Sequence, residues 1–516
     1  MNLKLAVLSS CFALIVAVAA VPGSRPTAQS ATTAGFSPII PRTWDDHAMA
    51  QLEVPLAYPS ASPKHVSAEY YYRIPVRSIY KTYPVYAPGH EPPGYMDWLQ
   101  KQEPAVVWDD KGHTPPLGSE ADWIKAGEIV FDSPLFSGGL FAGFPQDSLY
   151  VRQPEFYQKT GTPTAADGTV PFYRYVIRQK GQIRIGILGC AMCHTRVMPD
   201  GSVLKGAQGN FPFDRAMAYN YRTGGGPPPV AHALERALFG TPWLQPDPQA
   251  DLDQMSIEEI AARHDPIPPG VVARHRTGTL TPVQVPDLIG VKDRHYLDRT
   301  GLQQHRSIAD LMRYAALNQG GDDMASYSGF IPDGSPLPDP DKVAPRYSDE
   351  QLYALALYVY SLQPPPNPNK PDALSKRGEQ VFQGENCPVC HTPPLYTSNK
   401  LTIAEGFTPP PDADEKYDIL PVSVGTDPNL ALKTRRGTGY YKVPSLKGVW
   451  YRSMFGHSGW CATLEDWFDP RRLRDDYVPT GFMPYGVKPY AVKGHRFGLK
   501  LSGDDRKALI AFLKTL

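Results

Sequence analysis

Two short segments of this chain carry a pair of cysteines followed directly by a histidine. Both have the spacing Cys-x-x-Cys-His, and the residues are Cys190, Cys193 and His194 in the first segment and Cys387, Cys390 and His391 in the second. In this pattern, two thioether bonds attach a porphyrin and the adjacent histidine becomes the proximal ligand of its iron. A zinc site would need four nitrogen or sulfur ligands, and it does not explain why a histidine follows both pairs. The sequence therefore predicts two covalent haem c groups.

The N-terminus has the pattern of an export signal. Residues 1–20 carry Lys4, then an apolar run that ends in small residues, which is typical of a secretory signal peptide. The run is too short to span a membrane, and no later stretch reaches the roughly 18 apolar residues that a spanning helix needs. We therefore expect a periplasmic or secreted protein without a transmembrane segment. Haem c is attached outside the cytoplasm, so this location agrees with the two motifs.

Charge and cysteine content narrow the function further. The 516 residues include 52 basic and 52 acidic ones, a formal net charge of zero, which gives no indication of nucleic acid or anionic lipid as a partner. Of six cysteines, Cys11 lies in the signal segment and four belong to the motifs, so only Cys461 remains, and we expect it to be buried. The 56 prolines and 44 glycines predict long loops.

Three sequence echoes occur in the same order around the two motifs. Gly-Glu-x-Val-Phe precedes each motif, at 127–131 and 378–382, and Val-Pro-x-Leu follows it, at 285–288 and 443–446. An amphipathic helix with a serine cap closes each half, at 347–362 and 501–516. The order predicts a mainly α fold of two tandem cytochrome c-like domains with long irregular loops. The expected boundaries are a signal peptide at 1–20, an irregular N-terminal extension at 21–120, a first domain with insertions at 121–362, a proline-rich linker at 363–371 and a second domain at 372–516.

From about residue 120 onward, the chain resembles the bacterial di-haem cytochrome c peroxidases, the related enzyme MauG and the di-haem rubber oxygenases. Besides the two motifs, the resemblance is carried by Thr-Gly-Tyr-Tyr-Lys-Val-Pro-Ser-Leu at 438–446, Phe-Gly-His-Ser-Gly at 455–459, Thr-Leu-Glu-Asp at 463–466 and Gly-His-Arg-Phe-Gly at 494–498. It implies a mostly helical fold in which one haem transfers electrons and the other meets hydrogen peroxide or dioxygen. It also implies a small redox protein or another electron donor or acceptor as partner. The wide separation of the two motifs is closer to the rubber oxygenases.

The chain also departs from the peroxidase pattern. No histidine lies between His194 and His232, which favours a first haem without a protein sixth ligand. Where the peroxidases supply a methionine to the second haem, this chain has Arg471, which cannot ligate iron. Met454 replaces a proline of the peroxidase calcium site, so calcium is not expected there.

The second haem must therefore find another sixth ligand. The candidates are His495, in Gly-His-x-Phe-Gly; Met483, in Phe-Met-Pro, which is similar to the methionine loop of small cytochromes; and His457, which in the resembling families more often supports the site without ligating. The choice matters because methionine raises the reduction potential of a haem, whereas a second histidine lowers it. The sequence does not identify a catalytic residue beside the first haem, although it offers several histidines, His232, His264, His275, His295 and His305.

These observations predict an exported di-haem c-type oxidoreductase, in which one haem transfers electrons and an open one reacts with peroxide or dioxygen. Two alternatives remain at this point. One is a pure electron-transfer cytochrome with both irons saturated. The other is a haem dioxygenase that cleaves an apolar alkene or polymer such as rubber.

Overall fold

The structure, a computed structural model, describes residues 36–135, 150–224, 228–274, 276–320, 324–329, 331 and 338–516. The expected signal peptide at 1–20 and the candidate His275 lie outside the described residues. In the described part of the chain, no helix is both long and apolar enough to cross a membrane.

The prediction of a mainly α fold is wrong. Of the described residues, 35% are helical and 13% lie in strands, with several small sheets between the helices. The reason is local: frequent prolines and glycines keep most helices short, and segments rich in β-branched and aromatic residues pair as strands instead. The molecule is therefore a mixed structure in which a few longer helices carry the core.

The helices run in the following order along the chain. They are α1 Asp46–Ala50, α2 Ala68–Arg73, α3 Tyr95–Gln100, α4 Glu120–Asp132, α5 Pro154–Thr160, α6 Cys190–Cys193, α7 Phe213–Gly224, α8 Pro228–Phe239, α9 Ile257–His264, α10 Ile308–Gly320, α11 Asp349–Ser361, α12 Ala373–Gly384, α13 Ala413–Lys416, α14 Asn429–Leu432, α15 Leu464–Trp467 and α16 Gly503–Lys514.

The strands form small sheets of two or three members. They are β1 Lys64–His65, β2 Ile79–Tyr80, β3 Thr82–Tyr86, β4 Val106–Trp108, β5 Thr169–Gln179, β6 Gln182–Gly186, β7 Thr195–Val197, β8 Val203–Lys205, β9 Val271–Val272, β10 Val283–Gln284, β11 Tyr296–Leu297, β12 Gln303–Gln304, β13 Ala325–Ser326, β14 Leu401–Ile403, β15 Ile419–Leu420 and β16 Tyr440–Lys442. The three-stranded sheets have the orders β3-β5-β6 and β15-β14-β16, and every pair is antiparallel except β14 with β15.

Two helix pairs with the same construction form the framework around the motifs. Helix α4 packs on α11, and α12 packs on α16. At each crossing the helices touch at the glycine of Gly-Glu-x-Val-Phe: a Cβ added to Gly127 would collide with the carbonyl oxygen of Ala354, and one added to Gly378 with that of Ala508. Only glycine allows two helix backbones to approach so closely, which explains why the echo contains it.

The aromatic residues of the two crossings also correspond. The Phe131 and Tyr358 rings lie 5.2 Å apart at an angle of 59°, and the Phe382 and Phe512 rings lie 5.3 Å apart at 57°. Both pairs occupy the same positions in the sequence echoes. The two helix crossings are thus built in the same way. We call the part of the chain around α4 and α11 the first module and the part around α12 and α16 the second module.

The N-terminal segment contributes to the core of the first module. Trp44 is fully buried, its indole N–H donates to the carbonyl of Val66 at 2.8 Å, and its ring stacks on Tyr71 at 4.4 Å. These residues belong to the same apolar cluster as Phe131 of α4 and Leu355 of α11. The segment is thus built into the first module, with helices α1 to α3 and strands β1 to β4 of its own.

In the described part of the insertion before the first motif, residues 150–189, a β-hairpin leads into the motif. Strands β5 and β6 pair through a turn at Gly181, where φ is +80°, and β3 adds a third strand. The chain leaves β6 and enters α6, so the sheet determines where the first motif lies.

Candidate haem sites

The first motif forms one helical turn that presents its histidine at the end. Cys190 to Cys193 make up α6, and the His194 N–H donates to the carbonyl of Cys190 at 2.9 Å. The Nδ1–H of the His194 ring donates to the carbonyl of Pro286 at 3.1 Å. With the proton on Nδ1, the lone pair of Nε2 is free to bind a metal, and the carbonyl fixes the orientation of the ring.

The second motif repeats this geometry. Cys387 begins a 3₁₀ turn, and the His391 N–H donates to its carbonyl at 2.9 Å. The Nδ1–H of His391 donates to the carbonyl of Tyr396 at 3.2 Å and also faces the carbonyl of Pro444. The Val-Pro-x-Leu echo, whose role sequence reasoning did not identify, therefore places a proline carbonyl beside the histidine of each motif: Pro286 accepts from His194, and Pro444 faces His391.

Burial keeps both histidines neutral, as metal ligation requires. Burial is the main reason that the pKa of His194 falls to about 3 and that of His391 to about 4, and nearby arginines contribute. Burial also raises the pKa of the Cys190 thiol to about 12 and that of Cys387 to about 11.

No zinc-type cluster appears in the described residues, where no three His, Cys, Asp or Glu side chains converge on one point. Both cysteine pairs are free of disulfides. The arrangement is thus a pair of neutral thiols beside an oriented, neutral imidazole, at each of two places.

A large cavity adjoins the second motif, and Cys387, Cys390, His391 and His495 all line it. The ring centres of His391 and His495 are 6.4 Å apart. Two imidazoles that bind one metal from opposite sides, each through a bond of about 2 Å, have ring centres roughly 6 Å apart. The cavity therefore fits a covalent haem c with His391 and His495 as axial ligands.

His495 is held in place through its backbone. Its φ of 42° lies in the left-handed region, which non-glycine residues adopt at an energetic cost and which often marks functional positions. The fully buried Arg472 donates to the carbonyls of Gly494 and His495 at 2.7 and 2.6 Å. The guanidinium also lies over Trp460 and Trp467, and the Trp467 ring contacts the His495 ring at 5.1 Å. Arg472 thus positions the ligand candidate, a role for which the sequence contained no recognisable signal.

The other two candidates occupy different places. His457 lines the same cavity, but its ring stacks on Tyr441 with centres 4.5 Å apart. Met483 is not among the residues that line this cavity, and its neighbour Phe482 packs in a separate apolar cluster with Phe239. The geometry thus favours His495 over both as a partner for His391.

The histidines proposed beside the first motif have other partners. His232 donates to the carbonyl of Met255 at 2.6 Å, and His295 lies near Asp418 on the surface. His305 donates from Nδ1 to the carbonyl of Arg294 at 2.7 Å and accepts at Nε2 from the Tyr360 hydroxyl at 2.6 Å.

His264 lies between two buried carboxylates. Its ring nitrogens donate to Asp214 at 2.7 Å and to Glu235 at 3.2 Å. The Tyr221 hydroxyl donates to the same Glu235 oxygen at 2.6 Å. Each of the four candidate histidines within the described residues, His232, His264, His295 and His305, therefore already has a partner.

Around Cys190, the contacts come from α10. The Gln319 amide lies 3.7 Å from the Cys190 sulfur and lines a cavity of about 360 Å³ with Tyr347. Arg274 contacts Asn318 and Tyr314 of the same helix, and its positive charge contributes to the low pKa of His194. The one remaining cysteine, Cys461, is buried as expected, at 2% exposure.

Neither a family model nor a curated protein matches this chain. Among solved structures, the hydrazine synthase of Kuenenia stuttgartiensis matches 46% of this chain and 74% of its own, at 14% identity and a TM-score of 0.26. A MauG-like protein associated with microbial copper homeostasis matches 33% of this chain and 56% of its own, at 18% identity and a TM-score of 0.22. At these identities and TM-scores, neither match carries an argument about fold or function, which rest on the residues and their geometry.

Proposed function

We propose that the protein is an exported di-haem c-type oxidoreductase, with one covalent haem at each Cys-x-x-Cys-His motif. The observation that carries the proposal is the pair of imidazoles, His391 and His495, whose ring centres lie 6.4 Å apart at the cavity that holds the second motif. When bound there, a haem supplies one-electron redox chemistry. The protein supplies its covalent attachment, its two axial ligands and its burial.

The two sites differ in ways that suit different tasks. At the second site, Arg472 and Val424 hold the His495 backbone, the latter as acceptor of the His495 N–H at 2.6 Å. A saturated and rigid iron site favours electron transfer. At the first site, the four candidate histidines within the described residues have other partners. The motif itself provides one ligand, the imidazole of His194. We assign to this site the reaction with hydrogen peroxide or dioxygen, and to the second site the exchange of electrons with a small redox protein or another donor or acceptor.

Electron paramagnetic resonance of the ferric holoprotein tests the ligand assignment. We expect one low-spin signal from the second haem, lost in His495→Ala and kept in Met483→Ala, which serves as the matched control. If His495→Ala leaves the low-spin signal intact, the assignment of His495 is wrong. Haem content, measured as the pyridine haemochrome, must show two covalently bound haems, otherwise the proposal as a whole fails.

Reactivity separates the enzyme from the alternatives. Peroxide turnover with an electron donor supports the peroxidase-like reaction, whereas cleavage of an alkene by dioxygen without added reductant supports a dioxygenase. If both haems are low-spin and unaffected by peroxide, cyanide and carbon monoxide, both enzymatic assignments fail and a pure electron carrier remains.

A further inference from the structure

A second, smaller cavity lies next to the loops that orient both proximal histidines. It is lined by Pro286, whose carbonyl binds His194, and by Pro444, which faces His391. Arg299, Lys442 and Arg452 line both this cavity and the large cavity of the second motif. The smaller cavity therefore adjoins the second haem site and extends to the loop beside the first motif.

Four cationic side chains converge on this cavity, and their hydrogen bonds all go to backbone carbonyls. Arg294 donates to Asp287 and Ile289, Arg299 to Gln284 and Val285, Lys442 to Tyr296 at 3.1 Å, and Arg452 to Ser445 at 2.9 Å. Among the described residues, none of the four forms an ion pair with a carboxylate, and the Arg452 Nε is buried without a partner. Carbonyl groups satisfy the N–H donors, but they leave the positive charge uncompensated.

The nearby carboxylates do not balance this charge. Asp287 is the one acid that lines the cavity, and it accepts from the Tyr451 hydroxyl at 2.5 Å and from the Ile289 N–H at 2.9 Å. Asp298 is bound by Arg436 on its other side. Burial and the neighbouring cations lower the pKa of Arg299 to about 9 and that of Lys442 well below its usual value. Since unpaired charges are costly away from water, the cavity needs anions from another source.

We infer that this cavity receives propionate carboxylates of both haems, so that one buried cation cluster compensates the two prosthetic groups together. The inference rests on the proposed function, which places one porphyrin at each motif. The thioether bonds fix the vinyl side of a porphyrin, which leaves its pair of propionates on the far side to meet charged residues. Arg299, Lys442 and Arg452 reach the second site directly, whereas Arg294 is bound to the segment 287–289 that follows the His194 acceptor Pro286.

A shared cluster has a measurable consequence for both reduction potentials. Positive charge near a haem favours the reduced iron, because reduction removes one positive charge from the iron. Removing one cation from a cluster that serves both haems must therefore lower both potentials. A cluster that serves only the second haem would change one of them.

The test is a spectroelectrochemical titration of the full-length holoprotein, wild type against Lys442→Met and Arg299→Gln. These two variants remove one positive charge each, and Lys442→Met keeps the length and bulk of the side chain, so it remains informative if Arg299→Gln does not fold. We expect both haem midpoint potentials to shift to lower values in each variant. A shift of only one haem, or of neither, overturns the inference.

Two further variants separate charge from packing. Arg299→Lys keeps the charge and is expected to keep both potentials close to those of the wild type. Arg313→Met removes a buried arginine that pairs with Asp310 outside the cavity, and it should leave both potentials unchanged. Covalent loading with two haems is confirmed first in the wild type, and if it is absent, the proposed function fails. If two haems are bound but their potentials are unchanged in the cluster variants, only the inference about the cation cluster fails.

Discussion

At the scale of single residues, burial sets the charge of the histidines in opposite directions. Burial and nearby arginines lower the pKa of His194 and His391 and keep them neutral, although the carbonyls that accept from their rings act in the opposite direction. His264 is equally buried, but Asp214 and Glu235 face its two ring nitrogens. Although burial alone would lower its pKa, the two carboxylates outweigh this effect and raise it to about 10. The same side chain is thus a ligand candidate in one place and a structural cation in another.

The raised pKa of His264 predicts a pH-dependent stability. In the unfolded chain, this histidine loses its proton near pH 6.5, whereas the folded protein holds it up to about pH 10. The stabilisation is therefore fully present below pH 6.5 and is lost as the pH rises to 10, at up to about 1.4 kcal/mol per pH unit. We expect the free energy of unfolding, measured with guanidinium between pH 6 and 10, to fall with this contribution in the wild type.

The variant His264→Gln should remove this contribution and flatten the pH dependence over the same range. His295→Gln is the control, because His295 is exposed and pairs only with Asp418 at the surface. An equal slope in the wild type and in His264→Gln would contradict the assigned charge.

At the scale of elements, the two modules share the crossing of their first and last helices. The echo Gly-Glu-x-Val-Phe was recognisable in the sequence, but its meaning required the structure, since the glycine lies where the helix backbones touch. Helices α11, α12 and α16 begin with serine or aspartate caps, as propensity dictates. Helical periodicity was thus sufficient to predict the elements that frame the sites.

Gly127→Ala and Gly378→Ala should each disrupt one crossing. The added methyl group meets a backbone carbonyl that cannot move away without separating the helices. We expect each variant to lose about 1–3 kcal/mol of stability or more, as overpacked cores do, in denaturant unfolding of the holoprotein.

The control for the helix crossing is Gly384→Ala, at the end of the same helix α12. A Cβ at this position meets no other atom within 4 Å, so we expect stability to be unchanged or slightly raised, because alanine favours a helix over glycine. If Gly378→Ala is as stable as Gly384→Ala, the close packing of α12 on α16 is not a requirement of the fold.

The strands were harder to predict than the helices. The segment Thr169–Gln179 is rich in valine, isoleucine and aromatic residues, a composition typical of strands, yet the sequence echoes assign it only to the insertions of a mainly α domain. It is buried on most positions of both faces and therefore lacks the alternation of a half-exposed strand. The expectation of a mainly α fold failed for this reason.

At the scale of the whole molecule, the candidate haem-binding residues can be named from the sequence, whereas their environment cannot. The two motifs are local in sequence, so their spacing alone identified Cys190, His194 and their counterparts. The residues around them come from other parts of the chain: Pro286 binds His194 across 92 positions, and Arg472 holds His495 from a short 3₁₀ helix, Pro470–Leu473, that has no motif. Such contacts depend on tertiary packing, which one sequence does not reveal.

The Gln208 side chain makes three hydrogen bonds, and two of them connect the two modules. Its amide donates to the carbonyls of Ser453 at 2.7 Å and Gly270 at 3.1 Å, and its oxygen accepts from the Ser453 N–H at 3.0 Å. Gln208 is itself fully buried. Ser453 belongs to the second module, so this side chain joins the loop after the first motif to the segment that precedes His457.

Replacing Gln208 with methionine keeps its volume but removes these bonds. The Ser453 N–H then loses its acceptor, which lowers the free energy of unfolding by about 1–3 kcal/mol. This loss weakens the contact between the two modules and leaves both helix pairs intact. We expect calorimetry to show one cooperative transition in the wild type and two separated transitions in Gln208→Met. Gln304→Met is the matched control, because the Gln304 amide makes a single exposed bond, to the carbonyl of Gln51. A single unshifted transition in Gln208→Met would mean that the two modules are held together by other contacts.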